Sequence, residues 1–163
     1  MKTLKTIAAT MTVIGMNALA LAGDARTTAG ASSNPFTGGG TATATAAHNA
    51  PIGFARTDTR SGPINAARGV AVGVDRDGIT LSVSAALAPK LGPAVAANFN
   101  MTIDRDGDVS RSTGLAVAKG PGTREVNVGG ETHTGRFGAG SSSIANAKAP
   151  HGTVRVITRS RSN

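Results

Sequence analysis

Cysteine, tyrosine and tryptophan are absent from this chain of 163 residues, phenylalanine occurs four times and glutamate twice. The absence of cysteine removes disulfides, thiolate metal sites, thiol catalysis and an acylated lipoprotein cysteine together. With almost no aromatic rings there are no stacking platforms for nucleic-acid bases, and no girdle of the kind that anchors a transmembrane β-barrel. After the first 22 residues there is no long apolar run, so no transmembrane segment is expected once the leader is removed. No helical period is sustained outside that leader, which excludes an amphipathic membrane helix.

The N-terminus is legible. Lys2 and Lys5 precede an apolar stretch from Ile7 to Leu21, and Ala20-Leu21-Ala22 offers small residues ahead of Gly23. Those three regions predict a cleaved signal peptide over residues 1–22, of the simple bacterial kind, and a periplasmic or extracellular destination. An exported chain without cysteine must fold without staples. From residue 51 onward about a fifth of the residues are Val, Ile, Leu, Met or Phe, a thin supply for one core.

Residues 23–60 are dominated by Thr, Ala, Gly, Ser and Asn. Side chains this small and polar do not offset the entropy of ordering, so the composition predicts a flexible linker or stalk. The pattern changes near Arg68. Val70, Val72 and Val74 alternate with Ala71 and Gly73, and Ile79, Leu81 and Val83 alternate with Thr80, Ser82 and Ser84. This is a half-buried strand pair with one apolar and one small polar face. Asp75-Arg76-Asp77-Gly78 supplies turn chemistry, and keeping Val74 and Ile79 on one face predicts a four-residue loop.

The same words recur. Gly62-Pro63 precedes the first Asp-Arg-Asp-Gly turn, and Gly92-Pro93 precedes a second at Asp104-Arg105-Asp106-Gly107. A duplicated hairpin of about thirty residues follows, with copies near 68–87 and 95–118; two copies suit a four-stranded meander better than a solenoid. In the second copy Phe99, Met101 and Ile103 alternate well, but Arg111 follows Val109 and leaves the register open. Further strands are expected over 125–128 and 153–158, with a Gly- and Ser-rich loop over 135–143. The expected fold is mostly β: a small antiparallel meander or sandwich-like domain over 61–163, with a basic C-terminal third.

Asp104, Asp106 and Asp108 are the candidate metal ligands, since alternating carboxylates can surround a hard cation such as Ca²⁺. Against an EF-hand, Val109 stands where that loop wants glycine and Leu115 where it wants a bidentate glutamate. Turn geometry alone already accounts for the aspartates and the glycine. No cofactor is expected beyond that one Ca²⁺ alternative. The three histidines, His48, His133 and His151, fall in no arrangement that sets a base beside a nucleophile or a metal, and Ser141-Ser142-Ser143 is a tract rather than a nucleophile elbow. The expectation is a protein that is not an enzyme, with a small hydrolase lacking a readable motif as an alternative.

Charge is more informative. Residues 23–108 balance seven acidic against seven basic side chains, whereas residues 109–163 set eight basic side chains against two glutamates, a net +6. Arginine dominates the excess, and its planar fork engages phosphate or carboxylate two bonds at a time. Arg155, Arg159, Arg161, Arg136 and Lys148 are therefore the candidate polyanion-binding residues. If 153–158 is a strand, Arg155 points opposite Val154 and Val156 and shares a face with Ile157. Solubility alone is the plain alternative for such a charge. Export and the lack of interleaved aromatics disfavour nucleic acid. An anionic envelope polymer or acidic polysaccharide fits the compartment, and weakly specified strand edges leave self-association open. The expected role is a non-enzymatic envelope or extracellular structural or binding protein.

Overall fold

The computed structural model describes residues 23–135 and 138–163; the expected signal peptide lies outside the described residues. Ten strands follow one another: β1 (Asp24–Ser33), β2 (Ala42–Asn49), β3 (Ile52–Arg60), β4 (Ile64–Val74), β5 (Gly78–Pro89), β6 (Ala94–Asp104), β7 (Val109–Lys119), β8 (Arg124–Gly135), β9 (Gly138–Lys148) and β10 (Thr153–Ser162). They form two antiparallel sheets, one of four strands in the order β2-β1-β8-β9, the other of six in the order β10-β7-β6-β5-β4-β3. Among the described residues none lies in a helix, so none of them forms a helix long and apolar enough to cross a membrane. The sheets stack as a sandwich whose seams, β2 against β3 and β9 against β10, carry no strand pairing.

Both predicted hairpins form, as neighbours in the meander β4-β5-β6-β7. Val74 pairs with Ile79 across the four residues of the first turn, and Ile103 pairs with Val109 across the second. In the first turn the Asp75 carboxylate accepts the N–H groups of Asp77 and Gly78, both at 2.9 Å. Asp104 does the same work in the second, accepting from Asp106 at 3.0 Å and Asp108 at 2.8 Å, while Gly107 takes a left-handed φ of 91°. The strands expected over 125–128 and 153–158 are present and longer, as β8 and β10.

Two expectations are corrected. Residues 23–60 are not a flexible linker: Asp24–Ser33 lies inside the four-stranded sheet between β2 and β8, Ala42–Asn49 pairs with it, and Ile52–Arg60 closes one edge of the six-stranded sheet. Nor is 135–143 a loop, because Gly138–Lys148 pairs with β8 along its length. The physical reason is the same in both places. Small residues cannot build a core alone, but they are what a narrow space between two sheets requires.

That space is filled from the small polar face of each strand, not the valine face. Ala71, Thr80, Ser82, Ser84, Asn100 and Thr102 are buried, whereas Ile79, Leu87 and Phe99 are exposed. The interior is zoned along the strands. Toward the end holding the β5–β6 and β7–β8 loops it is alanine, from Ala86, Ala88, Ala94, Ala96, Ala116 and Ala118 against Ala29, Ala31, Val126 and Val128. Toward the aspartate turns it is hydroxyl and amide. Thr27 and Ser82 bond hydroxyl to hydroxyl at 2.8 Å between the sheets, and Ser82 donates to Asn100 Oδ1 at 2.6 Å. The Asn100 amide nitrogen in turn donates to Ser143 Oγ at 2.8 Å and to the Ser142 carbonyl at 3.0 Å. Thr102 donates to the Gly140 carbonyl at 2.9 Å, and Asn98 to that of Gly129. Side chains of one sheet thus satisfy backbone groups of the other, while Ser84 Oγ and Asn98 Oδ1 stay buried without a partner. Gly130 permits this approach, because a methyl group there would overlap the Asn100 amide.

Among the described residues two charged side chains, Asp24 and Arg124, are buried as well. Arg124, 3% exposed, opens β8 and donates to the carbonyls of Gly92, Lys90 (2.7 Å) and Pro89 (3.3 Å) and to Ser33 Oγ (3.1 Å). It ties the β5–β6 loop of one sheet to β1 and β8 of the other.

Candidate anion-binding face

β10 is the outermost strand of the six-stranded sheet and pairs only with β7. Its register sets Arg155 beside Val117, Ile157 beside Leu115, Arg159 beside Thr113 and Arg161 beside Arg111. A strand shows alternate residues to opposite sides, so Arg155, Arg159 and Arg161 point to the same outer side as Arg111. At a rise near 3.4 Å per residue successive β10 arginines stand roughly 7–14 Å apart along the strand. Lys119, opposite Thr153, extends the row.

The Arg111–Arg161 pair is the informative one. Like charges on directly opposed positions destabilise a sheet. Among the described residues no carboxylate forms an ion pair with Arg111, Lys119, Arg155, Arg159 or Arg161; the ion pairs that exist join Arg26 to Asp24 and Glu131, and Arg56 and Arg68 to Asp58. A row of guanidinium groups held without counter-charge on one edge presents several hydrogen-bond forks to a multivalent anion.

Not every predicted cation joins this row. Lys148 lies on β9, opposite Glu125, on the outer side of the other sheet. Arg136 lies outside the described residues. Asp104, Asp106 and Asp108 stay in the second turn, where Asp104 Oδ1 is committed to two backbone N–H groups. Among the described residues no group of three His, Asp or Glu side chains is gathered as a metal site would need.

The histidines are dispersed over β2, β8 and the β9–β10 loop. His133 and Glu131 border a cleft of about 550 Å³ where β9 and β10 part, together with Ser110, Ser141, Ser142 and Arg161. Ser110 and Ser141 bond each other there, at 3.1 Å, rather than a histidine. Beside the cleft, burial and the nearby Glu131 carboxylate raise the pKa of Asp24, against the pull of Arg26 and His133.

The opposite flank of the same outer side carries cations that sequence reasoning missed. Arg56, Arg60 and Arg68 share it, since Arg56 pairs with Val70, Asp58 with Arg68 and Arg60 with Ala66. Arg68 donates to Asp58 from Nε at 2.7 Å, with Nη2 at 2.6 Å; this hydrogen bond, more than the charge itself, lowers the Asp58 pKa. The available signal was Arg68, two positions ahead of Val70 in the alternating run. Arg56 and Arg60 were hidden by the linker composition around them. No family model, curated protein or solved structure matches the chain.

Proposed function

We propose that this chain is a non-enzymatic structural or binding protein, exported to the envelope or beyond, that contacts anionic polymer through the outer edge formed by β7 and β10. The observation that supports the reading is the uncompensated arginine row, with Arg161 opposite Arg111 at a cost in stability that a bound polyanion relieves. Arginine rather than lysine suits phosphate or carboxylate groups, which accept two parallel bonds from one guanidinium.

The test is binding of polyphosphate and of dextran sulfate by the wild type and by the triple variant Arg155→Gln, Arg159→Gln, Arg161→Gln, over a salt series. Wild-type binding should weaken as salt rises, because exposed charges are screened beyond about 8 Å at physiological ionic strength. The triple variant should bind at least about tenfold more weakly at low salt, in line with several lost charge contacts. Equal binding by the two proteins refutes the reading.

A further inference from the structure

Among the described residues no Ile, Leu, Met or Phe side chain is buried in the interior. Ile52 is 70% exposed, Phe54 53%, Leu87 46%, Ile79 45% and Phe99 38%, and all five belong to the outer face of the six-stranded sheet. The register stacks them in cross-strand rows. Phe54, Val72, Leu81 and Met101 form one row; Ile52, Val74, Ile79, Ile103 and Val109 form the next. The three central strands β4, β5 and β6, about 4.8 Å apart and about 30 Å long, carry most of this apolar field, on the order of 400 Å². This lies within the range of about 300–600 Å² for the largest patch on a soluble monomer, a patch that is often functional.

The field has a basic border on both sides. Arg111, Arg155, Arg159 and Arg161 flank it at β7 and β10, and Arg56, Arg60 and Arg68 at β3 and β4. Near the second flank the face is dished. A depression of about 690 Å³ runs over Ala66, Ala85, Leu87, Val95 and Ala97, with Arg60, Arg68 and Asp58 at its rim. The opposite side of the sandwich is different. Thr28 and Thr45 bond hydroxyl to hydroxyl there at 2.7 Å, Ser32 and Thr41 at 2.9 Å, and Arg26 faces Glu131 at 3.6 Å.

We infer that the outer face of the six-stranded sheet docks on an anionic lipid leaflet, its apolar rows against the acyl boundary and its arginine flanks against the phosphates. This rests on the reading that the β10 arginines meet anionic groups, and names the surface that carries them. The charges decide between a leaflet and a second copy. Two copies packed face to face set basic flanks against basic flanks in either orientation. Within each face the one carboxylate is Asp58, partly neutralised by Arg56 and Arg68, and the others, Asp75, Asp77, Asp104, Asp106 and Asp108, lie in the two turns at one end of the field. A phosphate-bearing leaflet neutralises both flanks and covers the apolar centre. The polar face of the other sheet keeps the protein on the surface rather than through it.

The absence of tryptophan and tyrosine makes the test specific. In the full chain, a Phe99→Trp variant places one reporter in the field, a Phe54→Trp variant places a second, and an Ile144→Trp variant places a control on the outer side of the other sheet. Each is titrated with phosphatidylglycerol vesicles, phosphatidylcholine vesicles and soluble polyphosphate. The expected result is blue-shifted emission, quenched by spin-labelled lipid, from the two field variants with phosphatidylglycerol alone. The control should keep its emission, and any anchoring by residues 1–22 is common to all three. Adding the triple arginine substitution should lower partition on the order of 100-fold, at about fivefold per surface cation.

Equal shifts on both faces, or none on either, overturn the inference. If the field reporters stay silent with vesicles while polyphosphate binding remains sensitive to the arginines, the leaflet is wrong and the polymer reading survives. If both are lost, both readings fall. A concentration-dependent shift without lipid means that a second copy covers the face and likewise overturns the inference.

Discussion

Arg124 is where a single substitution tests the way the two sheets are held together. Replacing it with methionine keeps an unbranched apolar stem of similar reach and removes the guanidinium. Four acceptors lose their donor: the carbonyls of Pro89, Lys90 and Gly92, and Ser33 Oγ. A hydrogen bond from a charged group contributes about 1.5–3 kcal/mol, and an orphaned buried acceptor costs about 1–3 kcal/mol. Against this stands the recovered desolvation of a buried cation, which amounts to several kcal/mol. In a buried salt bridge that recovery often wins, because an apolar pair can replace both partners. Here three of the four partners are backbone and cannot be replaced, so the loss wins, by about 2–4 kcal/mol. For a chain of this size that lowers the melting temperature by roughly 5–15 °C. Arg124→Lys should lie between, since one ammonium cannot span carbonyls on both sides of the β5–β6 loop. Thermal and urea unfolding followed by circular dichroism measure both variants. If Arg124→Met unfolds within about 0.5 kcal/mol of wild type, a typical surface-substitution effect, the buried clip contributes nothing and the reasoning is wrong.

Gly130→Ala should destabilise by about 1–3 kcal/mol through overpacking, because the added methyl meets an Asn100 amide already held by Ser82, Ser142 and Ser143. Combining it with Asn100→Ala should recover part of that loss in an unfolding double-mutant cycle, and strict additivity would count against the overlap. For Asp24, whose pKa burial raises above 3.8, the folded state binds the proton more readily than the unfolded state. Its contribution therefore makes stability fall as pH rises from about 3.9 through the raised folded value. Asp24→Asn should gain stability relative to wild type near pH 7, a gain that vanishes toward pH 3; a variant less stable at pH 7 than at pH 3, relative to wild type, contradicts the sign.

Period two in valine, isoleucine and leucine was enough to find β4 through β7 and both turns, because the turn residues and the alternation agree there. It was not enough for β1, β2 and β9. Thr27, Thr28 and Ala29, or Ser141, Ser142 and Ser143, alternate in environment without alternating in chemistry, since hydroxyls serve on either face of this sandwich. Arg124 was counted only as one of the basic residues of the C-terminal third. Nothing local distinguishes a buried arginine from an exposed one when its acceptors are carbonyls thirty residues away. The β10 arginines were legible as a basic cluster, but a strand ending at residue 158 leaves Arg159 and Arg161 in a polar tail, and only its extension to Ser162 puts them on the face of Arg155. The row's continuation across Arg111, and the second flank through Arg56 and Arg60, depended on pairings that only the sheet order supplies.

Alternation states that two faces of a strand differ, not which one goes inside, and here the second question is settled by the smaller sheet. On β1 and β8 the sides facing the partner sheet carry Ala25, Thr27, Ala29, Ala31, Val126, Val128, Gly130 and Thr132, and the other sides carry Arg26, Glu125 and Glu131. Burying the side with Arg26, Glu125 and Glu131 costs more than burying the small side, whose one charge, Arg124, finds acceptors on the other sheet. The small side therefore goes inside, and it brings carbonyls and hydroxyls that need donors. A six-stranded sheet offering its valines and leucines would stand about 10 Å off, as in ordinary sandwiches, and would leave those groups unpaired. Offering Ser82, Asn98, Asn100 and Thr102 instead, it comes close enough to bond them. The polar interior and the apolar exterior thus have one cause. Stability selects the small face for the inside, and the valine rows are left to whatever lies against the sheet.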